Sequence, residues 1–208
     1  MPQEPVNKRA VVFIDGQNLF HAAREAFGYS FPNFDPGRLA EEACRSRGWT
    51  LAQTRFYTGV PSAEDDARWS HFWTAKLAQM GRQGVWTYQR PLRYRNMTFT
   101  LPGGGEITRL VGQEKGIDVR IALDIVGQGV ERNYDVAVVF SQDQDLSEVA
   151  DELRQLATRQ DRWIKIASAF PRSPTSRNRR GVNGTDWLPI DRTLYDGCLD
   201  ARDYRPKR

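Results

Sequence analysis

The 208-residue chain has two cysteines, Cys44 and Cys198, and two histidines, His21 and His71. So few thiols exclude a disulfide framework and a thiolate zinc site, and they suit a reducing compartment. Neither histidine has the sequence context of a nucleophile triad, which sets aside imidazole-driven hydrolysis. No apolar run approaches the roughly 18 residues needed to cross a bilayer. The opening MPQEPVNKR lacks an apolar secretory core, so a cytoplasmic protein with no membrane partner is expected. Neither a GxGxxG turn nor a P-loop follows a strand-like run, which disfavours dinucleotide chemistry. Lysine is also scarce: of 30 basic residues 25 are arginine. That bias suits bidentate phosphate contacts, although a GC-rich genome produces it too, and the net charge of +4 permits a polyanionic partner without requiring one.

Strand and helix patterns alternate along the chain. Arg9–Asp15 (RAVVFID) and Tyr134–Phe140 (YDVAVVF) are short apolar runs rich in β-branched residues, the pattern of strands buried on both faces. Thr50–Tyr57 and Trp163–Phe170 read as further strands. Helices are expected over Gln17–Phe27, Gly37–Arg47, Ser62–Gly81, the IDVRIALDIV run from Ile117, and Asp145–Thr158. In the Ser62–Gly81 helix Trp69, Phe72, Trp73, Leu77 and Met80 form a core-facing stripe. Gly84–Leu110 is broken by Pro91 and by Pro102–Gly105, and reads as an irregular hairpin or mobile loop. The order implies an α/β fold with a mainly parallel sheet covered on both faces. Residues 1–8 are expected as a flexible tail, 9–170 as the domain with a basic hairpin or loop near 87–113, and 171–208 as a basic extension packing partly on it.

Chemistry concentrates where two buried strands stop. The first ends in Asp15, and VAVVF runs into Ser141, Gln142, Asp143, Gln144 and Asp145. Parallel strands share one carboxyl edge, where ligand crevices form. Asp118, at the start of the KGID helix, projects over that edge if the helix runs antiparallel to the strands. Four close carboxylates repel one another, and a hard divalent cation, Mg²⁺ or Mn²⁺, relieves the repulsion with carboxylate, water and phosphate oxygens. The reaction this suggests is phosphodiester hydrolysis. Asp124, six residues after Asp118, falls about 240° around the helix from it and is left out of the set. Each aspartate also has an ordinary reading, as a turn former, a helix-dipole partner or an N-cap.

These segments resemble the NYN domain family, a branch of the PIN-like nuclease superfamily. Phe13–Asn18 (FIDGQN) matches its FIDGxN opening, Lys115–Val119 (KGIDV), with Asp124 farther along, its KGxDV helix, and Ser141–Leu146 (SQDQDL) its SxDxDF/L signature. The motifs occur in the family's order within residues 9 to 170. The resemblance implies a three-layer α/β/α fold and a metal-dependent ribonuclease. Asp15, Asp118, Asp143 and Asp145 then take the metal-binding roles, and Asn18 matches the amide near the metal. Two departures bear on substrate choice: the long loop from Arg90 to Gln113, and the basic stretch PRSPTSRNRRG.

RNA, single-stranded or structured, is the expected partner, and a homo-oligomer is compatible with the sequence. Lys115 and Ser141 are candidate phosphate contacts beside the acids. Arg90, Arg93 and Arg95, and Arg177, Arg179 and Arg180 in the basic block from Arg154 to Arg180, are candidate backbone contacts. Tyr88, Tyr94 and Trp163 are candidate stacking surfaces. Two rivals share the acidic site: an RNA-binding regulatory module with little or no catalysis, and a phosphohydrolase acting on small nucleotides. Asp15 is followed by Gly16 and Gln17, so the DxD signature of haloacid-dehalogenase phosphatases is missing.

Overall fold

The computed structural model describes residues 2–206; Met1, Lys207 and Arg208, at the outer ends of the expected tail and extension, lie outside the described residues. Among the described residues no helix is long and apolar enough to cross a membrane. The elements run β1 (Arg9–Asp15), α1 (Gly16–Phe27), α2 (Pro36–Arg45), β2 (Thr50–Val60), α3 (Ala67–Arg82), β3 (Trp86–Pro91), β4 (Arg93–Thr100), β5 (Glu106–Gln113), α4 (Ile117–Val130), β6 (Val136–Phe140), α5 (Ser147–Arg159), β7 (Lys165–Pro171), β8 (Asp186–Ile190) and α6 (Arg192–Gly197).

Six parallel strands form the central sheet in the order β3-β2-β1-β6-β7-β8. Side chains of β1 alternate between its faces. Ala10, Val12 and Ile14 join one buried cluster with Leu19, Leu39, Phe72 and Met80 of α1, α2 and α3. Val11 and Phe13 join another with Ile121 and Ile125 of α4 and Leu153 of α5. Each fully buried Val, Leu, Ile, Phe or Met side chain contributes roughly 1.5–3 kcal/mol, so both helix layers are held to the sheet and the architecture is the expected three-layer sandwich.

The chain winds outward from β1 through β2 to β3, then resumes on the other side of β1 with β6, β7 and β8. The order therefore reverses between β1 and β6, the topological switch at which parallel sheets open a crevice. Ile14 lies beside Phe140 in the ladder, so Asp15 and Ser141 leave the sheet at the same level.

Two stretches differ from the sequence expectation. Within Gly84–Leu110, WTYQRP is not part of a loose loop but the edge strand β3, parallel to β2. Its Trp86 and Tyr88 pack on the α4 side, and an edge position tolerates Pro91. After Leu92 the chain forms a regular antiparallel hairpin, β4 with β5, from Arg93↔Gln113 to Thr100↔Glu106. Beyond residue 170 the chain adds the sixth strand of the main sheet, β8, and buries Ile190, Tyr195 and Cys198 in the α1–α3 cluster. DWLPI is a weak strand signal because Pro189 removes a donor, which an outer strand again accommodates. The helix expected from Asp145 begins as a 3₁₀ turn, Gln144–Leu146, before α5.

Candidate active site

Asp15 ends β1 and caps α1, its Oδ1 accepting from the Asn18 backbone N–H at 3.0 Å. Helix α1 leaves the strand this abruptly because Gly16 has no Cβ: one would lie 2.4 Å from Phe56 Cζ. Asn18 reaches across the switch point, and its Oδ1 accepts from the Gln142 N–H at 3.0 Å. The first acidic segment is thereby tied to the second. There Asp143 N–H donates to Ser141 Oγ at 3.1 Å, and Asp143 Oδ1 accepts from the Asp145 N–H at 3.0 Å. The ordinary capping roles are thus real, and each uses one oxygen of a carboxylate placed at the crevice.

Asp118 lies in the first turn of α4, behind Gly116, whose φ of +76° suits glycine. The guanidinium of Arg90 packs against that glycine and donates to the Lys115 carbonyl at 3.3 Å, which joins the edge of the sheet to the KGID turn.

The electrostatic coupling of the acids centres on Asp15. Asp15 is pushed up to about 6, chiefly by burial, with the charges of Asp143 and Asp118 adding to it and the Asn18 and Gln17 N–H groups opposing. Glu114 is pushed up to about 8, again chiefly by burial, then by Asp15 and Asp118. Its Oε1 is a buried oxygen with no hydrogen-bond partner. The charges of Asp143 and Asp118 thus reach Asp15, and those of Asp15 and Asp118 reach Glu114. Asp145 stands exposed on the 3₁₀ turn and is not among the charges that raise Asp15. Sequence reasoning missed Glu114; its place directly before KGID was the available signal.

The donor set is entirely oxygen, the choice of Mg²⁺ or Mn²⁺, and the orphaned Glu114 oxygen among repelling acids fits a cation. Among the described residues no three His, Cys, Asp or Glu side chains already converge on one ion position. Mg²⁺ is commonly held by one or two carboxylates, with water and phosphate completing the shell.

The other candidates separate into free and engaged groups. Lys115, Arg93 and Arg95 are exposed beside the site and along the hairpin, whereas Arg90, also exposed, is engaged, its Nε donating to the Tyr88 hydroxyl at 2.9 Å and its Nη1 to the Lys115 carbonyl. Ser141 is buried, its Oγ held by Asp143 N–H and its carbonyl by Ser168 Oγ at 2.8 Å, so it shapes the turn. Gln142 Nε2 donates to the Arg180 carbonyl at 2.7 Å, and Gln144 Nε2 to that of Gly181 at 3.1 Å. These bonds fasten the basic segment to the acidic loop and leave Arg177 and Arg180 exposed. Arg179 instead folds back onto the Ser176 and Pro174 carbonyls. Much of the basic block is answered in space: Arg154 by Asp151, Arg159 by Glu152, Lys165 by Asp186, and Arg162 by the Tyr134 and Gly129 carbonyls. Tyr88 stacks on Trp86 under Arg120, and Trp163 lies near Lys8 and Lys165.

The family model for the NYN domain matches residues 9–171. A solved structure, a Vibrio parahaemolyticus protein of unknown function, is 17% identical, covers 91% of this chain and 97% of its own, and superposes with a TM-score of 0.55. That likeness bears on the fold alone. Acinetobacter baumannii MurG is 12% identical over 87% of this chain and 45% of that one, with a TM-score of 0.32, too low to bear on either fold or function. A search of curated proteins finds no match.

Proposed function

Since the chain belongs to the NYN domain family, a group with a PIN-like nuclease fold, we propose that it is a metal-dependent endoribonuclease hydrolysing RNA phosphodiester bonds. One observation carries the reading: buried Asp15 at the sheet's switch point, raised further by the charges of Asp143 and Asp118 and itself raising half-buried Glu114. Asp15, Asp118 and Asp143, joined by Asp145 from the rim, would hold Mg²⁺ or Mn²⁺. When bound, such an ion acidifies water and stabilises the charge of an in-line displacement at phosphorus.

The chain's own residues do the positioning. Asn18 fixes the β1 end to the 141–145 loop through the Gln142 N–H and keeps its Nδ2 for a phosphate oxygen. Lys115, Arg90, Arg93 and Arg95 on one side, and Arg177 and Arg180 on the other, neutralise the RNA backbone and make binding salt-dependent. A second reading, RNA binding without cleavage, is favoured by the absence of a preassembled metal cluster among the described residues. Incubating RNA with the protein in Mn²⁺, with EDTA and Asp143→Asn controls, tests both. Cleavage in Mn²⁺ that both controls abolish is expected. Wild-type cleavage by Asp143→Asn rejects the assigned site, and tight, salt-sensitive binding without products selects the second reading.

A further inference from the structure

Next to the carboxylates, and apart from them, a cavity of about 300 Å³ opens between α1, α3, the end of β2 and the root of the β4–β5 hairpin. Five rings line it: Phe20 and His21 from α1, Trp69 and Trp73 from α3, and Tyr94 from β4. Gly16 and Gln17, which directly follow Asp15, form one wall, and Gly59 another. Gly59 also touches the acidic set, since a Cβ there would lie 3.3 Å from Glu114 Cγ. The same short stretches of backbone therefore border the acids on one side and the cavity on the other.

The lining selects a ligand class. It contains no lysine or arginine, so it offers a phosphate no cationic partner. Burial and Arg24 hold the His21 imidazole below its ordinary pKa. Asp66 caps α3 by accepting from the Trp69 N–H at 3.0 Å. The Gln17 amide makes no side-chain hydrogen bond among the described residues and is free to pair with a ligand. Ligand pockets start at about 300 Å³, so the space suits a single planar ring system rather than a length of polymer. Flat aromatic walls with one amide suit a nucleobase, which stacks on rings and pairs through its edge.

We propose that this cavity receives one unpaired base of the RNA, that of a nucleotide adjoining the scissile phosphate, stacked against Trp69 and Tyr94 and hydrogen-bonded by Gln17. The polymer's identity rests on the nuclease reading. Because a paired base cannot enter, the substrate is single-stranded at the cut, and the hairpin that supplies Tyr94 takes part in choosing the sequence.

The test measures binding of a single-stranded RNA by fluorescence anisotropy, using the full chain carrying Asp143→Asn. An abasic residue is moved through the RNA one position at a time. One position should weaken binding by about 5- to 100-fold, the range of a lost stacking contact. Tyr94→Ala and Gln17→Ala should weaken the intact RNA similarly and add little to the abasic loss, whereas Tyr94→Phe should bind as the parent does. Cut-site mapping in Mn²⁺ should show a base preference beside the cut that Tyr94→Ala relaxes.

If RNA is bound and cut but no abasic position matters, or the two losses simply multiply, the pocket assignment is overturned and the nuclease reading stands. If RNA is neither bound nor cut, the nuclease reading fails. Free nucleosides then decide the pocket: saturable quenching of tryptophan fluorescence that Tyr94→Ala abolishes supports a base site, and its absence overturns one.

Discussion

Asp15 and Asp124 are buried to the same extent, each 8% exposed, yet their surroundings are opposite. Asp124 is enclosed by partners: Arg55 at 3.0 Å, Arg120 at 2.8 Å and the Tyr57 hydroxyl at 2.7 Å. Arg55 in turn lies over the Trp86 ring at 3.8 Å. Asp15 accepts one backbone hydrogen bond, from the Asn18 N–H, and faces Asp143, Asp118 and Glu114. A buried charge among partners supports the fold, although its net contribution is modest. A buried charge among like charges works against the fold, and such clusters mark sites shaped by function. Burial alone does not distinguish the two aspartates; the sign of their neighbours does.

The largest expected effect separates the two on activity. Asp15→Asn should reduce RNA cleavage roughly a thousandfold, the scale for losing a central electrostatic group, while the melting temperature of the metal-free protein holds or rises. Asp124→Ala should show the reverse: a loss of about 3–5 kcal/mol in urea unfolding, because two guanidiniums lose their buried partner, with little change in cleavage per folded molecule. Equal activity losses in the two variants would remove the contrast.

The pH dependence sharpens it. Asp15 and Glu114 have folded-state pKa values raised to about 6 and about 8. Folding therefore favours their protonated forms, and the stability they contribute is complete below about pH 4 and lost as the pH climbs through those values. In EDTA the melting temperature should fall between pH 5 and pH 9 by on the order of 5 °C more in wild type than in Glu114→Gln. Mg²⁺ or Mn²⁺ should flatten the wild-type curve. Identical curves for the two proteins would show that Glu114 does not share the strain.

The smallest effect concerns the cationic side of the site. Lys115→Ala should weaken RNA binding a few-fold and reduce the salt slope by about 0.7, the value for one contact to a single strand. An unchanged slope would leave Lys115 outside the interface.

The strands β1 and β6 and the helices α1 and α4 could be read from local pattern because their side chains bury on both sheet faces or along one stripe. Asp15, Asp118 and Asp143 are candidates for a related reason: motifs at strand ends and helix starts carry their position with them. Edge elements were harder to read. β3 and β8 contain proline and alternate weakly, since an outer strand needs only one partner, and their membership of the sheet follows from which strand lies beside them. Glu114 had only its place directly before KGID as a signal, since a carboxylate before a lysine is ordinary until the fold brings it against Asp15. The basic block likewise looked freer than it is, because a window of sequence omits Asp151, Glu152 and Asp186 as spatial partners.

Hydrophobic periodicity and the chemistry of capping residues were enough to specify the layers, the parallel sheet and the edge at which the acids gather, since both act over a few residues. Which aspartate is paired and which is opposed, which arginines remain free, and that aromatic side chains from α1, α3 and the hairpin enclose one cavity beside the acids depended on the folded chain. Those are long-range contacts, and charge and packing act through distance in space, which residue spacing along the chain does not encode.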